Sequence, residues 1–380
     1  MGVHTVDVAL EDLEHDPHAV IGRIREDHPV AWIPALKGWL ITRRDLVRSM
    51  MRDAETFTVD DPRFSTAQVL GPSMLSLDGP EHQRHRGPFA AAFRKPEVQR
   101  DFANIVRSEA RRLVRGIALN GEAELRVDLA GPLAVNTITT ALELVDADPA
   151  TVRGWYDDIV DAVIRTSTGQ VVDDIRPASV DHLAGHVRSS IDAGASLVTA
   201  AARTLTMEEV VSNTGVMMFG GIETVEGSIA NAFVHLLTRP EVLSELDADP
   251  ALWTAAVEES LRLEPSVVQV DRFATRRVEV EGAIIEEGDF VMLSIAGANR
   301  DPSFYPDPDT FDLHRENART NLTFAQGPHV CVGMHLARLE VRAALEAAFT
   351  ALPGLTLTEP TPITGLVFRK PVRVPVMWSV

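Results

Sequence analysis

One long helical stretch limits the folds that are open to this chain. Thr206 and Glu209 have the spacing of a capping box, in which each side chain accepts a hydrogen bond from the backbone N–H of the other residue. A helical pattern of apolar residues continues to about Thr238, and Pro240 predicts its end. About thirty residues with a rise of about 1.5 Å each give a helix roughly 45 Å long, which is enough to cross a whole domain.

Helical patterns dominate the rest of the chain, and short strand patterns lie towards both ends. Most segments between about Pro80 and Pro240 repeat apolar residues at helical spacing. A hairpin is predicted around residues 35–38, and a second strand-rich stretch contains Gly282 and Gly288 as turn residues. Since no internal repeat or low-complexity linker interrupts the pattern, we predict a single domain over residues 1–380, mainly α with minor β (α+β).

The composition excludes several classes of function. A net charge of −19 argues against nucleic acid as a partner, because phosphate repulsion would have to be overcome locally. The single cysteine excludes an intramolecular disulfide, as expected in a reducing cytosol. The N-terminal stretch lacks the apolar core of a signal peptide, and no stretch is apolar enough to span a bilayer. These features predict a cytoplasmic protein with no nucleic-acid or membrane partner.

Four glycines interrupt the long helix: Gly215, Gly220, Gly221 and Gly227. Each costs about 1 kcal/mol relative to alanine in a helix interior, so a reason for them is needed. Glu223 and Thr224 follow closely among apolar neighbours. In one interpretation, the glycines permit close contact between helices and Glu223 faces solvent. In the other, the helix opens locally for a ligand, and Glu223 and Thr224 are available for proton transfer.

Cys331 is the only cysteine, and it lies in a glycine-rich loop that runs into a helix. Backbone N–H groups and a helix N-terminus both favour thiolate over thiol. A thiolate can be a nucleophile, a metal ligand or a haem ligand. His329 or His335 could complete a Cys–His nucleophilic pair, although such partners usually come from separate elements. A structural zinc site is disfavoured because the chain has no second cysteine.

Four other side chains are cationic or can become so: His82, Arg86, Arg272 and His329. His82 and Arg86 are four residues apart and would share one face of a helix. Each alone is typical of an ordinary surface or ion-pair residue. Together with a thiolate loop, they provide what a cofactor with two carboxylates requires.

The cysteine loop, residues 324–333, resembles the haem-binding loop of the cytochrome P450 family. It has the residues of that family's pattern, in the sequence FAQGPHVCVGMHLAR: Phe324, Gly327, Cys331 and Gly333. Four further matches occur in the family's order: DGPEHQRHR at 78–86, GGIETV at 220–225, ESLR at 259–262, and Arg272. The resemblance extends from about residue 30 to about residue 375 and is to the soluble bacterial class.

This resemblance implies a single large helical domain with small β-sheets, and haem b between the long helix and the helix after the cysteine loop. It implies that the Cys331 thiolate is the iron ligand, and that Glu259 and Arg262 form a buried structural pair. The catalytic residues that it implies are Thr224, which would bind O2, and Glu223, which would relay protons. The other implied cofactor-binding residues are His82, Arg86, Arg272, His329, Phe324, Gly327, Gly333, Gly220 and Gly221.

The implied activity is that of a haem-thiolate monooxygenase. Such an enzyme inserts one oxygen atom from O2 into a small organic substrate, and hydroxylation in secondary metabolism is the expected reaction. The implied pocket residues are mostly apolar, which favours a largely hydrophobic substrate: Met74, Met218, Gly221, Val267, Val268 and Leu366. The alternatives are another oxidation, such as epoxidation, phenol coupling or nitration, and a haem-binding sensor without turnover.

A basic segment is a candidate binding site for an electron donor. Residues 82–100 contain five Lys or Arg residues against one acid, Glu97, in an otherwise acidic chain. Such a segment is either a solvated helix face or a docking site for an acidic partner. The resemblance favours docking of a ferredoxin or flavodoxin, which receives electrons from NAD(P)H through its reductase. The residues expected on that proximal face are Arg84, Arg94, Lys95, Arg338 and Arg342.

Overall fold

The predicted long helix is present over Met207–Leu237 and is called the central helix here. In this computed structural model, which describes residues 4–144, 146–167 and 175–380, both bonds of the capping box form. The Glu209 N–H donates to Thr206 Oγ1 at 3.3 Å, and the Thr206 N–H donates to Glu209 Oε2 at 2.8 Å. The capping box and the following proline therefore define both ends of the helix correctly.

Helices make up most of the described chain, as predicted. The other α-helices are Leu10–His15, Pro17–Asp27, Arg44–Arg52, Ser65–Leu70, Gly79–Ala90, Lys95–Glu97, Ala103–Ile117, Gly131–Ala141, Pro149–Ser167, Ala178–Asp192, Ser196–Ala201, Pro240–Ala248, Trp253–Leu263, Ile295–Asn299 and Met334–Ala351. Short 3-10 helices lie at Pro34–Leu36, Ala91–Phe93, Pro250–Leu252, Ala318–Thr320 and Gly327–His329. Two π-helical turns lie at Val98–Phe102 and Arg126–Ala130.

The strands form small sheets. The largest has five strands in the order Val30–Ile33, Gly38–Ile41, Phe290–Ser294, Gln269–Ala274 and Phe57–Thr58. Its first two strands are the predicted hairpin, with Trp32 opposite Trp39. A three-stranded sheet has the order Glu122–Glu124, Pro375–Met377 and Thr356–Leu357, and two-stranded pairs are Val278–Val280 with Ala283–Ile285 and Ile363–Thr364 with Lys370–Pro371.

The main hydrophobic cluster surrounds the central helix. That helix packs against helices Gly131–Ala141, Ala178–Asp192, Trp253–Leu263 and Met334–Ala351. Almost all of its side chains are buried, which explains why its sequence is apolar on every side. No helix in the described ranges is long and apolar enough to cross a membrane. That residues 1–380 form one domain stays a prediction.

Glu259 and Arg262 form a fully buried ion pair within helix Trp253–Leu263, as the resemblance implied. Arg262 donates to both carboxylate oxygens, at 2.7 and 2.8 Å, and also to the carbonyls of Asn299 and Pro308. Arg315 donates to Glu259 at 2.9 Å. These bonds tie the helix to the segment that leads into the cysteine loop. Breaking such a buried pair typically costs about 3–5 kcal/mol.

Candidate functional site

The cysteine loop is held by backbone bonds and by unusual backbone angles. The Cys331 N–H donates to the Phe324 carbonyl at 2.8 Å, which closes the loop. Ala325 has a φ of 55° and Gly327 has a φ of +76°, in the region that favours glycine. A Cβ on Gly327 would lie 2.5 Å from the Met51 carbonyl oxygen. Gly327 therefore permits close packing on helix Arg44–Arg52, a role that differs from the expected contact with haem.

The Cys331 thiol lies where the chain enters helix Met334–Ala351, with Gly333 at the helix N-cap. Its side chain is accessible, although protein surrounds it, as is typical of a group in the wall of an interior cavity. Burial raises the pKa of the thiol and outweighs the N–H groups of Gly333 and Met334 and the charge of Arg86, which lower it. These local groups therefore favour the thiolate, as expected, but burial has the larger effect and favours the thiol.

A Cys–His nucleophilic pair is not formed by the described residues. The Nε2 atom of His329 bonds to Asp78 at 2.7 Å. His335 is half-buried, and its pKa is lowered by burial and by the charges of Arg338 and Lys95. No hydrogen bond in the described part of the chain joins either histidine to the thiol, so this alternative has no geometric support.

The predicted cations converge beside the cysteine loop. Helix Gly79–Ala90 carries His82 and Arg86, and Arg86 donates to the Val330 carbonyl at 2.6 Å. The ring of His82 packs against His329, with 4.4 Å between ring centroids. Burial, together with the charges of His329 and Arg86, lowers the pKa of His82 to about 4. His82, which was expected to be cationic or able to become so, is therefore neutral near pH 7.

Asp78 organises this group and was not singled out in the sequence. It accepts hydrogen bonds from His329, from Thr58 Oγ1 at 2.7 Å and from the Val59 N–H at 3.0 Å. Burial raises the pKa of Asp78, but these hydrogen bonds lower it by a larger amount, so that the resulting pKa is about 2. The fixed carboxylate holds His329 in place.

Two buried nitrogen atoms in the group have no hydrogen-bond partner among the described residues. They are Nε2 of His82 and Nη2 of Arg272, and both residues are about 4 % exposed. Arg272 uses Nη1 to donate to the Asp271 carbonyl at 2.7 Å. An unsatisfied buried donor costs about 1–3 kcal/mol, so these atoms fit a ligand with acceptor oxygens. A dianionic cofactor such as haem has such oxygens in its two carboxylates.

The central helix is α-helical throughout, so the local opening that one of the two interpretations required does not occur. The Thr224 hydroxyl donates to the Gly220 carbonyl at 2.6 Å. Gly220 is exposed, and a Cβ on it would have no neighbouring atom of the described residues within 4 Å outside its own helix backbone. Cβ atoms at the other glycines would lie within about 3 Å of side chains. The nearest side chains are Leu70 for Gly215, Ile138 for Gly221 and Ser266 for Gly227. Close helix packing thus explains Gly215 and Gly221, and close packing on a non-helical segment explains Gly227, so Gly221 lacks support as a cofactor-binding residue.

Glu223 does not face solvent, because it is only 8 % exposed. Its carboxylate accepts a hydrogen bond from the Tyr156 hydroxyl and pairs with Lys370 Nζ at 2.8 Å. Lys370 also contacts Glu226 at 3.1 Å. Tyr156, Lys370 and Glu226 were missed in the sequence, because no local pattern indicates that distant segments meet at Glu223.

The predicted docking residues differ in their surroundings. Arg94 and Lys95 are exposed. Arg338 pairs with Glu258 at 2.7 Å and stacks on the Phe324 ring, 4.3 Å from its centroid. Arg342 pairs with Glu346 at 2.7 Å. Arg84 pairs with Glu81 and with Glu209 of the central helix, so two carboxylates compensate its charge.

Comparisons with known proteins show the family and the fold of this chain. Residues 251–352 match the family model described as Cytochrome P450. The chain is 31 % identical to "Cytochrome P450 monooxygenase PikC" of Streptomyces venezuelae, over 91 % of this chain and 86 % of that protein. It is also 31 % identical to "Mycinamicin IV hydroxylase/epoxidase" of Micromonospora griseorubida, over 94 % of each. The crystal structure of CalO2 has a TM-score of 0.86 at 28 % identity and covers 96 % of both chains.

Proposed function

Because the chain belongs to the cytochrome P450 family, it is a haem-dependent monooxygenase, and we propose that Cys331 supplies the thiolate that binds the haem iron. The observation that carries this proposal is the accessible thiol beside two buried nitrogen atoms without partners, on His82 and Arg272. When bound through a thiolate, haem activates O2, so that one oxygen atom enters the substrate and the other leaves as water.

The cofactor carboxylates would bind to the group formed by His82, Arg86, Arg272 and His329. Among the described residues, Arg272 Nη2 and, in the tautomer with a proton on Nε2, His82 are buried donors without a partner, and Arg86 and His329 add positive charge or further N–H groups nearby. Charge-assisted bonds of this kind are about twice as strong as neutral ones. Burial alone raises the pKa of the Cys331 thiol, and a bound cation would reverse that effect by stabilising the thiolate.

The central helix would supply the protons. Thr224 carries a hydroxyl next to the exposed backbone of Gly220, and Glu223 is a buried carboxylate one residue earlier. A hydroxyl can pass on a proton that it receives, and a carboxylate can accept a proton from water and release it again. We assign these two roles to Thr224 and Glu223.

The electron donor would dock on an exposed basic surface. Lys95, Arg338 and His335 lie near one another, since the first two both lower the pKa of His335. Arg94 extends this surface, whereas Arg84, Arg338 and Arg342 contribute less because neighbouring carboxylates compensate their charges. P450 enzymes receive electrons from partners such as ferredoxin, and an acidic ferredoxin or flavodoxin has the complementary charge. A cytoplasmic location stays a prediction.

The proposed reaction is hydroxylation of a small, largely hydrophobic substrate in secondary metabolism. Of the predicted pocket residues, Met74 and Val268 are buried, and Leu366 is half-buried. Met218 is fully buried in the main cluster and Gly221 faces Ile138, so these two are weaker candidates. Epoxidation is the second candidate, because the name of one relative includes both reactions.

The test combines binding and turnover. A panel of hydrophobic compounds is screened for shifts of the Soret band, and those that bind are incubated with NADPH, a surrogate ferredoxin, its reductase and isotopically labelled O2. We expect a product with one labelled oxygen atom. Binding without substrate-dependent NADPH consumption would instead indicate a sensor.

A further inference from the structure

We infer that Tyr156 and Lys370 are positioning residues for Glu223 and thereby set how efficiently protons reach Thr224. This inference rests on the proposed function, which assigns Glu223 to proton transfer. Neither residue is near Glu223 in the sequence. Tyr156 belongs to helix Pro149–Ser167, and Lys370 begins the strand Lys370–Pro371.

Each oxygen of the Glu223 carboxylate has its own donor. The Tyr156 hydroxyl bonds to Oε2, and Lys370 Nζ contacts Oε1 at 2.8 Å. All three side chains are largely buried, since Tyr156 is 2 % exposed and the Lys370 side chain is 15 % exposed. Two donors from two different elements therefore fix both the position and the rotation of the carboxylate.

Lys370 is shared between two carboxylates. Glu226 is 1 % exposed and pairs with Arg126 at 2.5 Å and with Arg153 at 3.0 Å. Burial raises the pKa of Glu226, and the charge of Lys370 is the largest effect that lowers it. Lys370 lies 3.1 Å from Glu226 and 2.8 Å from Glu223, and among the described residues it is the only ion-pair partner of Glu223. Glu223 therefore depends on Lys370 more than Glu226 does.

The same contacts join Glu223 to helix Pro149–Ser167. Arg153 and Tyr156 are three residues apart on that helix, and Glu226 and Glu223 are three residues apart on the central helix. Residues at this spacing share one helix face. The two helices therefore meet through matched pairs, and the carboxylate that is proposed to move protons is one member.

This arrangement turns the Glu223 carboxylate away from Thr224. Consecutive side chains of an α-helix point about 100° apart, and the Thr224 hydroxyl is occupied by the Gly220 carbonyl. A proton must then pass through water between the fixed carboxylate and Thr224. If either donor is removed, the carboxylate samples more orientations, and fewer of them keep this path through water to Thr224.

The experiment is a double-mutant cycle on the holoenzyme. Tyr156→Phe and Lys370→Met are made alone and together with Glu223→Gln. Electrons come from NADPH through a surrogate ferredoxin and its reductase, with 7-ethoxycoumarin as the probe. The readouts are hydrogen peroxide released per NADPH consumed and the solvent isotope effect on NADPH consumption. Thermal unfolding of the same variants gives an independent measurement of the interaction free energy between Tyr156 and Glu223.

We expect each single variant to lower the fraction of electrons that avoid peroxide by about fivefold. In the Glu223→Gln background, we expect no further change, because a positioning residue acts through the group that it holds. Lys370→Arg should release nearly as little peroxide per NADPH as the wild type, since it keeps a cationic donor. Tyr305→Phe is the matched control, because the Tyr305 hydroxyl is buried without a partner among the described residues.

Different results would overturn the proposed role of Glu223 and the positioning roles of Tyr156 and Lys370. If Glu223→Gln keeps wild-type coupling, the proposed role of Glu223 is wrong. If Glu223→Gln raises peroxide release but Tyr156→Phe does not, or if their effects add, the positioning inference is overturned. Tyr156→Phe removes a single oxygen atom, so it tests the inference even where Lys370→Met fails to fold.

Discussion

Two adjacent glycines of the central helix provide a test of which surface faces an open space. A Cβ on Gly220 would meet no atom within 4 Å, whereas a Cβ on Gly221 would lie 2.9 Å from Ile138 Cδ1. Both residues have helical φ and ψ, so replacement by alanine gives each the same gain of about 1 kcal/mol from helix propensity. The difference between the two variants therefore isolates the contact with Ile138.

The magnitude follows from the crowding at Gly221. Insertion of a methyl group into a packed core typically costs about 1–3 kcal/mol. We expect Gly220→Ala to raise the free energy of unfolding by up to about 1 kcal/mol. Gly221→Ala should be less stable than Gly220→Ala by about 1–3 kcal/mol. Replacing Ile138 by valine removes the crowded Cδ1 atom and should reduce this difference.

Urea unfolding, followed by circular dichroism and by haem absorbance, measures these values. Ligand binding supplies a second criterion, because the methyl group of Gly220→Ala would enter the space beside Thr224. We expect this variant to change the ligand-induced Soret shift, whereas Gly221→Ala should leave it nearly unchanged. Equal destabilisation of both variants, with no effect of Ile138→Val, would refute the reasoning.

Two further predictions concern charge. Since the pKa of Asp78 is lowered from 3.8 to about 2, its contribution to stability is complete above about pH 3.8 and is lost as the pH falls through about 2. Acid unfolding of Asp78→Asn should therefore be less steep across this interval than that of the wild type, and identical slopes would contradict the assignment. Lys95→Glu should slow reduction by a ferredoxin at low salt, whereas Arg84→Gln should have a smaller effect because Glu81 and Glu209 compensate its charge. Stopped-flow reduction at two ionic strengths distinguishes these variants, and equal effects would exclude docking beside Lys95.

Local patterns predicted the elements whose cause is local. The capping box at Thr206 and Glu209 gave the start of the central helix, and the ordered residues of the cysteine loop indicated the family that the relatives confirm. The buried pair of Glu259 and Arg262 was implied by the family resemblance and is present, although a spacing of three residues alone is common on surface helices.

Contacts between distant segments could not be predicted in this way. Glu223 was expected either in solvent or beside a ligand, but Tyr156 and Lys370 hold it inside the protein. Gly220 and Gly221 are equivalent in the sequence, yet they face different directions and only one meets a neighbouring helix. Arg84 belonged to a basic segment, but its carboxylate partners depend on how helix Gly79–Ala90 packs. Each of these outcomes depends on tertiary packing.

The most direct test of the central claim is the absorption spectrum of the reduced, carbon-monoxide-bound protein and of its Cys331→Ser variant. We predict that the wild type shows the red-shifted Soret band of haem bound through a thiolate. The variant should lack this band, because Cys331 is the only cysteine in the chain. A wild-type protein without the band, or a Cys331→Ser protein that retains it, would contradict the assignment of Cys331 as the iron ligand.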